Sequence, residues 1–186
     1  NIEVGEVLFY NKPYRWSSFD LVKKVKKMTG VKKIGHAGTL DPLATGLMIL
    51  CTGKKTKEIV NYQGLEKEYE GTIVLGATTP CYDLEMAPDV FYPTQHITPE
   101  MIAEAARSFT GVILQTPPPH SAVKIGGRRA YEMARKGQVP EMRQREVEIR
   151  EFQITAIALP QIEFRVVCSK GTYIRSLAHD FGKALN

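Results

Sequence analysis

Two long β-type segments near the end of the chain most restrict the possible fold. Residues 147–159 and 162–169 have the composition of strands, and only a short connection at Pro160 separates them, which predicts that they pair. Elsewhere, strand and helix patterns follow one another without the regular alternation of a doubly wound fold. We therefore predict an α+β fold with a mixed or antiparallel central sheet, helices on its faces and a cleft across it.

Shorter patterns complete the predicted order of elements. Ser17 or Ser18 is expected to cap a helix that begins at Phe19 and ends near Met28, just before Gly30. The remaining predictions are strands at 5–10, 47–51 and 67–78, loops at 32–45 and 79–94, a basic hairpin or loop around 126–127, and helices at 98–109, 130–135 and 172–184.

The net charge of +5 indicates an anionic partner, and its distribution is more informative than its size. Residues 117–145 hold seven basic and two acidic side chains, so this stretch alone matches the charge of the whole chain. A basic run is commonly a solvated surface, but basic side chains on a glycine-containing loop also suit the backbone of a nucleic acid. The side chains predicted to make such contacts are Lys124, Arg128, Arg129, Arg135 and Lys136.

Other patterns argue against several classes of protein. No apolar run approaches the ~18 residues of a membrane helix, and the first residues lack the basic region of a signal peptide. Cys51, Cys81 and Cys168 are far apart, which predicts free thiols that are buried as small hydrophobic side chains in a reducing cytoplasm. The histidines lack the spacing of metal ligands, so we expect no metal site.

A lysine-rich turn after the predicted strand 47–51 resembles the end of a phosphate-binding loop. That motif requires a glycine where Met48 stands and a serine or threonine where Lys55 stands. A nucleotide triphosphatase is therefore disfavoured.

The segment from Gly35 to Gly46 contains a single carboxylate, Asp41, among three glycines. Pro42 restricts Asp41 to an extended or turn conformation, and the apolar segment that follows would anchor the loop. A lone acid on a rigid loop suits a nucleophile or a general base. The simpler interpretation is an Asx-type turn, in which the carboxylate only bonds nearby amides. The residue types alone leave both interpretations open.

A second candidate site lies where Ser169–Leu177 pass from a predicted strand into the last helix. Tyr173 and Arg175 stand at the beginning of that helix, beside exposed backbone N–H groups. An arginine in this position can pair with a carboxylate or hold a phosphate. The alternative is that the tyrosine only packs and the arginine is a surface charge.

Together these segments resemble the TruB family of tRNA pseudouridine synthases. The matching stretches are Lys12–Pro13 with Ser17–Asp20, Gly35–Gly46, Lys67–Tyr69, Gln115–Gly137 and Ser169–Leu177. They occur in the family's order and span nearly the whole chain, and Gly35–Gly46 matches the family's catalytic loop almost residue for residue.

The resemblance implies an RNA isomerase with the pseudouridine synthase fold and an RNA-binding cleft. It implies conversion of the uridine at position 55 in the tRNA T loop to pseudouridine, with no cofactor and no metal. Asp41 would be the catalytic carboxylate, and Arg175 would hold its pKa down. Whether Asp41 attacks the sugar, attacks the base or removes a sugar proton stays open. Because a stacked uridine hides its glycosidic bond, the nucleotide would flip out, at a cost of a few kcal/mol.

The resemblance also implies substrate-binding roles. His36 would lie against the disturbed RNA, while Tyr69 and Tyr173 would line the base pocket. Lys12 would support the catalytic loop or bind a phosphate. The basic segment at about 117–145 would be a thumb that grips the T stem-loop.

The chain departs from the family pattern at several positions. After Lys12–Pro13 the family usually has Gly-x-Thr-Ser, where this chain has Tyr14–Ser18. The segment around Asp83 differs from the usual Thr-Asp-Thr, so the role of Asp83 stays open. His120 replaces a usual tyrosine in the thumb, and His179 replaces a usual arginine.

We expect a cytoplasmic monomer that binds tRNA and no membrane. Because the chain begins with Asn1 and ends at Asn186 inside a predicted helix, we expect a fragment. Residues 1–186 would form a catalytic domain without the C-terminal end of its core and without any C-terminal RNA-binding domain.

Two alternative functions belong to other classes of protein. One is a non-catalytic RNA-binding module, and the other is a nucleoside or glycoside hydrolase, which is disfavoured because the Asp41 loop offers only one acid.

Overall fold

The computed structural model describes residues 1–134, 136–138 and 142–186. The chain divides into two compact units, Asn1–Leu65 (unit 1) and Glu66–Asn186 (unit 2), and each is described by itself. That the whole chain forms one catalytic domain stays a prediction.

Unit 1 combines a small antiparallel sheet with one long amphipathic helix. Its elements are strand β1 (Val7–Lys12), helix α1 (Ser18–Thr29), strands β2 (Ile34–His36) and β3 (Gly46–Thr52), a 3-10 helix (Gly53–Glu58) and helix α2 (Ile59–Gln63). The strand order is β1-β3-β2, and both pairs are antiparallel. The loop that joins β2 to β3 is therefore anchored in the sheet at both ends.

Helix α1 begins and ends as the sequence predicts. Ser17 is its N-cap: the Ser17 hydroxyl accepts a hydrogen bond from the Asp20 N–H, and the Asp20 carboxylate accepts one from the Ser17 N–H. Gly30 ends the helix with φ 71°, a left-handed conformation that glycine adopts without strain. The helix packs on β3 through an apolar cluster that includes Leu21, Val22, Val25, Met48 and Leu50.

The predicted loop at 32–45 is wrong at its beginning, because it contains β2. This short strand pairs with β3, with His36 opposite Leu50. Three residues that include Gly35 carry no alternating pattern, and the pairing is long-range, so local sequence does not indicate it. Strand β1 also extends two residues beyond the predicted 5–10 and includes Lys12.

Unit 2 is built on a four-stranded antiparallel sheet. Its elements are β4 (Lys67–Val74), β5 (Ala77–Thr78), β6 (Val90–Phe91), α3 (Pro99–Ser108), β7 (Gly111–Gln115), β8 (Lys124–Ile125), β9 (Arg128–Arg129), α4 (Ala130–Ala134), β10 (Arg145–Ala158), β11 (Gln161–Cys168) and α5 (Ile174–Ala184). The strand order is β4-β11-β10-β7, and all neighbouring pairs are antiparallel. The predicted α+β class and antiparallel sheet are confirmed.

The predicted pair of long strands is confirmed as the hairpin of β10 and β11, with Ile157 opposite Ile162. Apolar side chains of the sheet, α3 and α5 form one buried cluster. At its centre, the rings of Phe152 and Phe181 are 5.4 Å apart in an edge-to-face arrangement. This packing fixes α5, at whose beginning two of the predicted site residues stand.

Strand β7 was not predicted. It is one of the two edge strands of the sheet and pairs with β10 from Gly111 to Gln115. Val112 and Leu114 are 67% and 62% exposed, whereas Ile113 packs against the core, so apolar side chains lie on both faces of β7 and do not mark the buried one. The predicted strand 67–78 is also interrupted, because Gly76 turns the chain with φ 90° before β5 pairs with β6, which lies inside the predicted loop 79–94.

Two further predictions concern membrane helices and thiols. None of the helices among the described residues is long and apolar enough to cross a membrane. Cys51, Cys81 and Cys168 are free and buried, as predicted.

Candidate active site

Asp41 lies half-buried in the loop that joins β2 to β3. The loop turns at Pro42 and Leu43, and the turn is closed by a hydrogen bond of 3.0 Å from the Ala44 N–H to the Asp41 backbone carbonyl. Proline supplies the φ that the first central position of such a turn requires. Main-chain atoms therefore set the direction of the loop at Asp41.

The loop is fastened on both sides of Asp41. The buried Ser18 hydroxyl bonds both main-chain groups of Leu40, at 3.0 Å from its N–H and 3.1 Å from its carbonyl oxygen. On the other side, the Pro42 carbonyl accepts a hydrogen bond of 3.3 Å from the Lys12 ammonium group. A carboxylate whose neighbours are held in this way has a defined position before a substrate arrives.

Lys12 is fully buried, although it carries a charge. Its ammonium group donates to three backbone carbonyls, those of Pro13 at 3.0 Å, Trp16 at 2.6 Å and Pro42 at 3.3 Å. Burial lowers the pKa of Lys12, and the negative charge of Asp41 opposes this shift. Of the two predicted alternatives, these contacts favour support of the loop over a phosphate contact.

His36 ends β2 at the beginning of the same loop. Its Nδ1 donates to the Gly38 carbonyl at 2.5 Å, because a carbonyl oxygen can only accept. Three predicted site residues, Lys12, His36 and Asp41, thus lie on or beside one loop of unit 1.

In unit 2, Tyr173 is the N-cap residue of α5, and its main chain is held by Gln115 of β7. The Gln115 side chain accepts from the Tyr173 N–H at 2.7 Å and donates to the Tyr173 carbonyl at 3.0 Å. The Arg145 guanidinium lies over the Tyr173 ring, 4.7 Å from its centre. The residue is therefore held through both its main chain and its ring at the beginning of the helix.

Arg175 follows on the first turn of α5. Its guanidinium donates to the carbonyls of Cys81 at 2.9 Å and His120 at 3.1 Å, and its Nε lies 3.8 Å from the Asp83 carboxylate. Asp83, whose role the sequence left open, is thus an ion-pair partner of Arg175. The predicted effect of Arg175 on Asp41 stays a prediction, because the two residues belong to different units.

Tyr69 lies in β4 opposite Val166 of β11 and is half-buried against the core of unit 2. This position is compatible with the packing that is common for a tyrosine at the beginning of a strand. Its predicted contact with a substrate base stays a prediction.

The described part of the predicted thumb, residues 117–145, contains a small hairpin and one short helix. Strands β8 and β9 are joined by Gly126–Gly127, which have φ values of 55° and 84°, and the Ala130 N–H donates to the Val123 carbonyl at 2.8 Å. Of the predicted contact residues, Lys124 is in β8, Arg128 and Arg129 are in β9, and Lys136 follows α4. Arg135 lies outside the described residues.

Sequence reasoning missed the residues that hold the site in place. The sequence indicates Ser18 only as a helix cap, and it indicates no role for Gln115. Both act through contacts with residues distant in the chain, Leu40 and Tyr173, so no local pattern reveals them. The one available signal is that both lie in stretches matching the family motifs.

If Asp41 is the reactive acid that the sequence predicts, replacing Ser18 by alanine should lower the reaction rate more than it lowers the stability of the fold. The Leu40 N–H loses its partner, which costs about 1–2 kcal/mol, and misplacement of the neighbouring Asp41 is expected to lower the single-turnover rate about 10- to 100-fold. The rate and the thermal midpoint check this.

Ser17→Ala is the matched control, because it removes the neighbouring hydroxyl and a helix cap worth about 1 kcal/mol. It leaves the Leu40 contact intact. Equal rates for the two variants would contradict the role given to Ser18.

The chemistry available at these positions is that of carboxylates, hydroxyls and basic side chains. Within the part of the chain that the structure describes, no three His, Cys, Asp or Glu side chains are grouped so as to hold a metal ion.

Comparison with known proteins decides the family. The model of the TruB family pseudouridylate synthase (N terminal domain) matches residues 26–174. The chain belongs to this family. The tRNA pseudouridine synthase B of Flavobacterium johnsoniae is 57% identical over 98% of this chain and 82% of its own length. The protein of the same name from Chloroherpeton thalassium is 50% identical over 97% and 77% of the respective chains.

Two solved structures contain chains that are similar in structure to this one over its whole length. A Cbf5–Nop10–Gar1 complex contains a chain with a TM-score of 0.75 and 28% identity, and an H/ACA RNP bound to a substrate RNA containing 2′-deoxyuridine contains one with 0.70 and 25%. This chain covers 45% and 44% of those chains, so it spans less than half of each. The predicted enzyme class and the pseudouridine synthase fold are confirmed.

Proposed function

We propose that this TruB-family protein converts the uridine at position 55 in the T loop of tRNA to pseudouridine, with Asp41 as the catalytic carboxylate. The relatives support tRNA as the substrate, since proteins named tRNA pseudouridine synthase B are 57% and 54% identical to it over almost its whole length. We also propose that it acts as a monomer in the cytoplasm.

The observation that carries this proposal is the geometry of the Asp41 loop. The Leu40 main chain is held by Ser18, and the Pro42 carbonyl by the buried Lys12. A surface turn needs no such support on both sides of one carboxylate. A reactive acid does, because positional errors of about 1 Å can cost 10²-fold in rate.

The reaction is an isomerisation whose atoms balance without a cofactor. The N1–C1′ bond of uridine breaks, the base turns, and a C5–C1′ bond forms. The C5 proton is lost and N1 gains a proton. Asp41 supplies the negative charge or nucleophile at the reacting nucleotide, which must leave the base stack to be reached.

The other candidate residues are assigned to substrate binding. Tyr69 and Tyr173 contact the flipped base, and His36 contacts the RNA beside the flipped nucleotide. Arg175 contributes its positive charge to the active site. Support for Tyr173 and Arg175 comes from their fixed positions at the beginning of α5. Lys12 acts on the loop and not on the RNA.

The proposal is tested with a T stem-loop labelled with [5-³H]uridine. Because the C5–H bond is lost, each turnover releases one tritium into water. The control RNA carries cytidine at the target position and keeps the other labelled uridines. Release from the first RNA alone is expected. No release, or equal release from both RNAs, would overturn the proposal.

The proposed thumb contacts give an independent prediction about salt. If about five thumb side chains contact phosphates, the slope of the logarithm of the association constant against log salt should be on the order of −3.5 to −4.5. Arg128→Gln with Lys136→Gln should reduce the slope by about 0.7–0.9 for each lost contact. Binding measured over a series of salt concentrations checks this.

The control for the thumb variants is Lys54→Gln with Lys183→Gln, which removes the same charge from exposed lysines elsewhere. It should leave the slope unchanged. A flat salt dependence of the wild-type protein would remove the thumb from the proposal.

A further inference from the structure

Unit 1 carries a second basic surface, which none of the roles proposed for this protein uses. Residues 15–33 contain seven basic side chains and one acid, a local net charge of +6 in a chain of net charge +5. One face of this region we call the α1 surface; it consists of the side chains of Tyr14, Arg15, Trp16, Phe19, Asp20, Lys23, Lys24 and Lys27. It lies outside the thumb in sequence and belongs to the other unit.

Six side chains of the α1 surface line one open groove of about 500 Å³. The lining residues are Arg15, Trp16, Asp20, Lys23, Lys24 and Lys27. Positions 20, 23, 24 and 27 are three or four residues apart, so they share one face of the helix. The buried residues of α1, Leu21, Val22 and Val25, lie between these positions in sequence and face the sheet. The lysines are therefore presented to solvent as a row.

Exposed aromatic rings alternate with these cations. Tyr14 and Phe19 are 54% and 60% exposed, although both are large and apolar. The Arg15 guanidinium lies 5.5 Å from the centre of the Tyr14 ring, and the Lys23 ammonium lies 5.0 Å from that of Phe19. Cations that neutralise phosphates, combined with rings on which bases stack, are the composition of surfaces that bind single-stranded nucleic acid.

The single acid in the groove has a structural task. The Asp20 carboxylate accepts hydrogen bonds of 2.9 and 2.6 Å from the N–H and hydroxyl of Ser17. These bonds cap α1 and lower the pKa of Asp20. The Asp20 carboxylate is therefore engaged at the helix end, and the groove keeps a net positive charge.

Arg15 links the α1 surface to the catalytic loop. Its N–H donates to the Pro42 carbonyl at 2.8 Å, directly after Asp41. Its φ is 66°, a left-handed conformation that strains a residue with a side chain. Backbone strain of this kind is often kept where it serves a function, and here it directs the Arg15 side chain to the groove.

We infer that the α1 surface binds the phosphates of the RNA strand that passes the Asp41 loop, on nucleotides that flank the modified uridine. The inference rests on the proposed function, because it takes RNA as the ligand. Arg15 contacts the phosphate nearest to the loop, and Lys23, Lys24 and Lys27 contact phosphates further along α1. Tyr14 and Phe19 stack on bases that are not paired.

Arg15→Gly separates a structural role from a binding role, because the two roles predict opposite changes. Glycine removes the backbone strain, so the thermal midpoint should rise. Loss of one phosphate contact should raise Kd for a tRNA transcript about threefold and reduce the salt slope by about 0.7. An unchanged Kd would overturn the role of Arg15.

A triple variant tests the row of lysines. Lys23→Gln, Lys24→Gln and Lys27→Gln together should raise Kd about 30-fold at physiological salt and reduce the slope by about 2, which corresponds to three lost contacts. The control replaces Lys26, Lys32 and Lys33 by Gln. These exposed lysines belong to the same segment but do not line the groove, and their replacement should change Kd less than about twofold and leave the slope unchanged.

Equal effects of the two triple variants would show a general effect of net charge and would overturn the inference, as would no effect of either. Tritium release by the wild-type protein distinguishes this failure from failure of the proposed function. If the wild type modifies the T stem-loop and the groove variant keeps its Kd, only the α1 surface is wrong. If the wild type neither binds nor modifies RNA, both proposals fall.

Discussion

Replacing Lys12 by methionine is expected to lower the free energy of unfolding by about 3 kcal/mol. Methionine fills similar volume but cannot donate, so the three carbonyls that the ammonium group now bonds lose their common partner. Relief of the buried charge offsets part of this cost, because burial already disfavours the charged form of Lys12 and lowers its pKa. The Pro42 carbonyl beside Asp41 is one of the three, so the rate of the reaction should also fall.

Urea denaturation and thermal melting measure the first effect. A loss of about 3 kcal/mol should lower the melting temperature by roughly 10 °C in a chain of this size. The control is Lys26→Met, an exposed lysine of α1 whose replacement should change stability by less than about 0.5 kcal/mol. Similar melting temperatures for the two variants would contradict the supporting role of Lys12.

The parts of the fold that could be predicted have strong local signals. Helix α1 has a serine and an acid three residues apart at its beginning and a glycine at its end, and the structure uses both as caps. The strands β10 and β11 are long and separated by a tight connection, so their pairing follows from chain connectivity. These signals depend on residues that are close in sequence.

The elements that could not be predicted depend on partners far along the chain. Strand β2 is recognisable only because β3 lies beside it, and β7 only because β10 does. Val112 and Leu114 in β7 face solvent while Ile113 packs against the core, so their apolar character does not mark the buried side. Pairing with a distant strand overrides a weak or misleading local pattern in both cases.

The candidate site likewise has some features that local sequence indicates and others that depend on residues far along the chain. The sequence makes Asp41 a candidate reactive acid, because a glycine-rich loop and a following proline are visible in it. The Ser18 hydroxyl bonds Leu40, 22 residues away, and the Lys12 ammonium bonds Pro42, 30 residues away. These contacts require the folded sheet, so residue types could not distinguish a supported catalytic acid from an ordinary turn.

Replacing Asp41 by asparagine is the second change with a large expected effect. The amide has nearly the shape of the carboxylate, so the turn and its fastening by Ser18 and Lys12 should persist. It carries no negative charge and is a poor nucleophile and base. Loss of a group of this kind typically costs on the order of 10⁴-fold or more in rate. Affinity for RNA should change less than about threefold, because one acid contributes little beside many phosphate contacts.

Asp89→Asn provides the matched control, since it makes the same chemical change at an exposed acid of unit 2. It should keep the wild-type rate. A comparable loss in this variant would indicate that an effect on net charge or folding, and not the chemistry of Asp41, is responsible.

The most direct measurement is single-turnover tritium release from a [5-³H]uridine T stem-loop, with protein in excess of both the RNA and Kd. The account predicts that wild-type protein releases the tritium of the target uridine and that Asp41→Asn releases none while it binds the same RNA with nearly unchanged Kd. Release by Asp41→Asn at the wild-type rate would contradict the assignment of Asp41 as the catalytic acid.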